Sequence, residues 1–178
     1  MKCKSWTTAA VIVATALVLS GCGRQTVLET YSFGQVQLKV GNSELYMASP
    51  FDLGRVKRQD DPGIIYGGED RHLTVIALAE PANTTTVEQS AADLITMLQQ
   101  TAEISDLQTK SKPTMIGNRP ALEVTCQYNK LTDGQAIGII MRSLFFEDKG
   151  QIWHIQYAYR SDDVLGKAAI ERVFGHIQ

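Results

Sequence analysis

Two dipeptides, Asp133-Gly134 and Lys149-Gly150, constrain this chain more than any other feature. Each separates long runs of strand-forming residues: Ala121 to Leu131, Gln135 to Glu147, and Gln151 to Arg160. A two-residue hairpin needs left-handed backbone at its corner, and a pair ending in glycine adopts it at low steric cost. Three long strands joined this tightly fold as an antiparallel meander. The remaining elements have to cover its faces.

Upstream, Gln35 to Val40 alternates, with Val36, Leu38 and Val40 on one face. Gly41-Asn42 signals a turn, and Glu44 to Ala48 reads as a weaker strand. Residues 50–63 read as the longest loop, rich in Gly, Pro, Asp and basic residues. A short strand is expected at Ile64 to Tyr66, a turn at Gly67-Gly68-Glu69-Asp70, and a buried strand at Arg71 to Ala79. Thr86 opens a helix: its hydroxyl caps the first turn while Gln89 reaches back, a capping box. Val87, Ala91, Leu94, Ile95, Leu98 and Ala102 then form one apolar face. Leu107 to Lys110 reads as a weak strand, and Pro113 and Gly117-Asn118 as turns. Ser161 is expected to cap a closing helix from Asp162 to about Ile177, with two acids complementing its dipole. The element order predicts an α+β fold, an antiparallel β-sheet flanked by helices with a closing C-terminal helix.

The first twenty-one residues read as an address. Lys2 and Lys4 precede an apolar run from Ala9 to Leu19, too short for the roughly 20 residues that span a bilayer. The run ends in Leu19-Ser20-Gly21-Cys22, which resembles the lipobox of bacterial lipoproteins. The resemblance implies cleavage between Gly21 and Cys22 and acylation of the Cys22 thiol. Two or three acyl chains anchor a protein stably where one does not. The implied partner is therefore the membrane, on the outer face of the cell membrane, or at the outer membrane in a two-membrane envelope because Gly23 is not Asp. Residues 22–30 would be a lipidated tether, and 31–178 a single domain. Residues 23–30 reach at most about 26–29 Å, keeping the domain near the bilayer.

The hairpin meander, Gly117-Asn118-Arg119-Pro120-Ala121, the aromatic run Trp153 to Tyr159 and the closing amphipathic helix together resemble the PsbP-like/DcrB-like family. That resemblance implies a PsbP-like α/β/α sandwich over residues 31–178. It also implies extracytoplasmic accessory or binding roles, usually without catalysis. It transfers no functional residue, because the family has no invariant catalytic signature. Cystatin-like and NTF2-like sheets place their helices before the long strands, whereas here a helix ends the chain.

Charge narrows the partners. With 17 Lys and Arg against 19 Asp and Glu the net charge is −2, and losing Lys2 and Lys4 makes it more negative. Nucleic acid, which demands clustered cations, is not expected. After processing Cys126 is the one thiol left, so no internal disulfide is expected, and Cys126 is read as a small buried hydrophobe. No nucleotide loop, zincin, C-x-x-C or nucleophile-elbow motif occurs, and no cofactor is expected. The best alternative to a non-catalytic envelope binder is an envelope hydrolase or metal-dependent enzyme using His72, beside Glu69 and Asp70, or His154. His176 is expected to complement the dipole at the end of the closing helix. Arg55, Lys57 and Arg58 in the long loop are the candidate surface for an envelope protein or small ligand. The stripe Trp153, Tyr157 and Tyr159 reads as core, with a partly exposed aromatic ledge that adds Trp153 to that surface as the alternative.

Overall fold

In a computed structural model of the chain, residues 33–50, 52–56, 64–174 and 177 are described. The leader 1–21, the tether 22–30, Lys57, Arg58 and His176 lie outside them. The described elements run β1 (Gly34–Val40), β2 (Ser43–Ser49), β3 (Gly54–Val56), β4 (Ile64–Glu69), β5 (Thr74–Pro81), α1 (Val87–Gln100), β6 (Ile104–Ile116), β7 (Arg119–Thr132), β8 (Gln135–Asp148), β9 (Gln151–Arg160) and α2 (Val164–Val173). This is an α+β fold. Strands β3 to β9 form one antiparallel sheet in the order β3-β4-β5-β9-β8-β7-β6. The β1–β2 hairpin is a separate two-stranded sheet.

The meander forms as the turn residues dictate. Asp133 and Gly134 have φ of 51° and 76°, and Lys149 and Gly150 have 50° and 77°. Both central residues of each turn are thus left-handed, matching the twist of the flanking strands. Helix α1 then carries the chain from central β5 to the far edge at β6. Strands β7, β8 and β9 fold back and close the gap against β5.

The register decides which face each side chain joins. On one face, Val124, Cys126, Met141 and Phe145 pack under Ala91, Leu94 and Leu98 of α1. On the other, Val75, Ala77, Phe146, Trp153, Ile155 and Tyr157 pack under the β1–β2 hairpin and α2. The hairpin contributes Leu38, Val40, Leu45 and Met47, and α2 contributes Ala169, Ile170 and Val173. The sandwich therefore has a helix on one side of its main sheet and a helix plus hairpin on the other. Cys126 lies in the first core, and burial pushes its thiol up to about 11, as expected of a packing residue.

Several local expectations are corrected. The weak strand at Leu107 to Lys110 is the middle of thirteen-residue β6, which continues through Pro113. Proline is tolerated there because β6 is an edge strand, with no outer neighbour to receive its missing N–H. Gly67, Gly68 and Glu69 lie inside β4. The turn instead forms where Asp70 Oδ1 accepts the backbone N–H groups of His72 and Leu73, at 2.8 and 2.9 Å. Thr86 does cap α1, accepting from the Gln89 backbone N–H at 3.1 Å. The Gln89 side chain, however, turns forward and donates to Asp93 at 2.7 Å, so the box is half formed. Helix α1 also stops at Gln100, before Ala102. Helix α2 starts at Val164 and is capped by Asp163, not Ser161. Asp163 Oδ1 accepts from the Leu165 and Gly166 N–H groups, both at 2.9 Å. An ionised carboxylate can satisfy two amides at a positive helix end, which a hydroxyl serves less well.

Candidate functional site

A cleft of about 670 Å³ opens where the β6–β7 turn and β8 meet the C-terminal end of α2. Strand periodicity builds it. Arg119 and Glu123 on β7 and Arg142 and Leu144 on β8 all point to the face under α2, because Glu123 pairs with Leu144 in register. Met115 from β6 and Phe174 from the end of α2 complete the walls.

Glu123 is 7% exposed, an unusual position for a carboxylate. It is retained by two cations. Oε1 accepts from Arg142 Nη2 at 2.6 Å and from its Nε at 3.2 Å, and Oε2 pairs with Lys112 Nζ at 2.9 Å. Burial alone would raise the Glu123 pKa, but bonds from Lys112 and Arg142 outweigh it and hold the group below the usual range.

Both arginines sit over aromatic rings. The Arg142 guanidinium carbon is 3.9 Å from the Phe174 ring centre, and that of Arg119 is 5.1 Å from the Phe146 ring. Cation–π contact fixes the planar head without consuming its donors. A polar relay also steadies Arg119, which pairs with Asp148 Oδ1 at 3.1 Å. Asp148 Oδ2 accepts from the fully buried Ser43 hydroxyl, which in turn accepts from Trp153 Nε1 at 2.8 Å. Burial would raise the Asp148 pKa, but Ser43 and Arg119 keep it lowered.

Trp153 is thereby corrected as a surface residue. It is 0% exposed, at the centre of the core beneath the β1–β2 hairpin. An indole on the inner face of a sheet covered by a second layer has no route to solvent. Arg55 lies in β3, while Lys57 and Arg58 fall outside the described residues.

The two histidines do not converge. His72 Nδ1 meets Asp163 Oδ2 at 2.5 Å, and Arg71 Nε donates to His72 Nε2 at 2.9 Å. Its carboxylate partner is thus the α2 cap and not Glu69, while Asp70 is occupied by its turn. No cluster of three metal-ligating side chains occurs among the described residues. His154 pairs in register with Leu78 on β5, six residues along the chain from His72, which precedes that strand. Its ring stacks on Phe145 at 4.1 Å and its Nε2 lies 3.1 Å from Ser143 Oγ. Ser143 is 0% exposed, so that hydroxyl does not face a substrate.

The His154 environment has a measurable consequence. Burial pulls its pKa down to about 3, while an unfolded imidazole titrates near 6.5. Between those values the unfolded chain binds the extra proton, so stability is full above about pH 6.5 and declines with acid. Because His154 is only half-buried, about 2 kcal/mol is expected to be lost between pH 7 and 4. Glu123, Asp148 and Asp163, all held low, add their losses below about pH 4.5. Urea midpoints of His154→Gln should show a flatter profile from pH 7 to 4.5 than the parent. An unchanged slope would refute the assignment.

The cleft residues were absent from the sequence-level candidates, yet they left a trace. Both faces of the meander are covered, so a lone acid in β7 and a lone base in β8 need partners.

The sequence matches no protein-family model and no curated protein. Among the solved structures that resemble the chain are three of low sequence identity. LpqN, involved in cell envelope biogenesis of Mycobacterium tuberculosis, has TM-score 0.46 and 11% identity, covering 82% of this chain and 90% of that one. PA94 of Pseudomonas aeruginosa, a protein of unknown function, has TM-score 0.43 and 12% identity, covering 78% and 91%. The Ran-binding protein Mog1p of Saccharomyces cerevisiae has TM-score 0.44 and 7% identity, covering 79% and 84%. None of the described helices is long and apolar enough to cross a membrane.

Proposed function

We propose that this protein is a lipid-anchored, non-catalytic accessory or binding protein of the bacterial cell envelope, held by acyl chains on Cys22. The observation that carries the binding role is the cleft under α2, in which two guanidiniums are immobilised on Phe146 and Phe174. Preorganised cations beside apolar walls recognise a ligand at low entropic cost. The anchoring rests on Leu19-Ser20-Gly21-Cys22 and the short apolar run before it.

Each part has its own test. Cys22→Ser is expected to lose lipid labelling and leave the membrane fraction. If it still pellets with membranes after high salt and alkali, the lipid anchor is wrong. A photo-crosslinker at Met115, which is 57% exposed at the cleft, should capture a discrete product in intact cells. The same group at Tyr46, exposed on the β1–β2 hairpin, should not. Equal yields from the two positions would remove the cleft from the binding role. Reversing Arg55, Lys57 and Arg58 to acids should weaken recovery if the loop joins the contact.

A further inference from the structure

We propose that the α2 cleft takes an amphiphilic monocarboxylate, its acid group seated on Arg119 and its apolar body lying along Leu144, Phe174 and Ile177. This rests on the reading of the cleft as the binding site and adds the ligand class. A guanidinium has five N–H donors. Arg119 uses Nη1 on Asp148, and Arg142 uses Nε and Nη2 on Glu123. The Nε and Nη2 hydrogens of Arg119 and the Nη1 hydrogens of Arg142 have no partner among the described residues. The two acids that these arginines bind are, by contrast, fully engaged. Both Glu123 oxygens and both Asp148 oxygens already accept from cations or from Ser43. The cleft therefore offers unused donors on fixed planar cations, the geometry that suits a carboxylate.

The remaining walls select the rest of the ligand. Leu144, Phe174 and Ile177 are apolar and continuous with the core, and Met115 is an adaptable thioether. A volume of about 670 Å³ falls in the range of about 300–1,000 Å³ that holds small ligands. Glu171 also lines the cleft, and its carboxylate opposes a second negative charge on the ligand. A single carboxylate fits that balance better than a dianionic phosphate ester.

The test uses the full-length chain in non-ionic detergent, with the arginine Nε–H resonances as readout. Two acid and neutral pairs serve as probes: 4-phenylbutanoate with 4-phenylbutanol, and N-acetyl-Leu-Phe as its acid with its amide. The acid should move the Arg119 resonance saturably and bind at least tenfold more tightly than its neutral partner, about 1.4 kcal/mol. Arg119→Gln should shrink that preference below threefold while leaving the neutral probe unchanged. A preference in the first pair alone assigns a free acyl or aryl acid, and one in the peptide pair alone assigns an apolar chain terminus. Either supports the proposal. Equal binding of acid and neutral probe in both pairs, or shifts that never saturate, would overturn it, and the wild-type comparison needs no variant to fold. Loss of carboxylate preference with Met115 crosslinking intact would reject this ligand class and leave the binding site standing.

Discussion

Trp153→Ala is expected to remove about 3–5 kcal/mol of folding free energy. Trp153 is fully buried, facing Ala79 on β5 and Phe146 on β8 in register. Truncation leaves a cavity the size of an indole between the sheet and the β1–β2 hairpin. It also removes the donor to the buried Ser43 hydroxyl, the link between that hairpin and Asp148. Against a typical domain stability of about 5–15 kcal/mol, the loss is a third or more. Thermal unfolding should move down by about 10 °C or more. Trp153→Phe keeps most of the volume and should cost about 1–2 kcal/mol, mainly the lost hydrogen bond. A surface aromatic would give a change within about 0.5 kcal/mol. That small value for Trp153→Ala would contradict the packing described.

Gly166→Ala is the second large effect, and its sign opposes helix propensity. Alanine inside a helix normally gains about 1 kcal/mol over glycine. Here an added Cβ would sit 2.7 Å from the His72 carbonyl oxygen and 2.8 Å from Tyr159 Cβ. The first obstacle is backbone just before β5 and the second is the root of a side chain on β9, so neither yields by a rotamer change. Helix α2 would have to lift from the sheet, weakening the packing of Ala169, Ile170 and Val173 and the seat of Phe174 under Arg142. The net expectation is about 2–3 kcal/mol of destabilisation, read as a lower urea midpoint. Gly34→Ala, where nothing lies within 4 Å and φ is not positive, serves as the neutral control. If both variants behave alike, the close approach of α2 is wrong.

The sequence by itself determined what local chemistry controls. Asp133-Gly134 and Lys149-Gly150 dictated the two left-handed corners, Thr86 the start of α1, and strand alternation the two-faced meander. Each depends on residues a few positions apart, so the backbone has little choice. Where competing partners lay within reach, local reading failed. Ser161 and Asp163 were both able to cap α2, and the carboxylate, held by two amides and by His72, prevailed. Pro113 reads as a strand breaker until the sheet order places β6 at an edge. Trp153 is an aromatic on an alternating strand whichever face is covered, and only the docking of the β1–β2 hairpin buries it. The cleft depends most on tertiary structure. Lys112, Glu123 and Arg142 lie on three strands, and their charges are tolerable only because the register brings them together. Pairing across a sheet is decided by which strands become neighbours, and that choice is made by the whole core, which no local window of sequence contains.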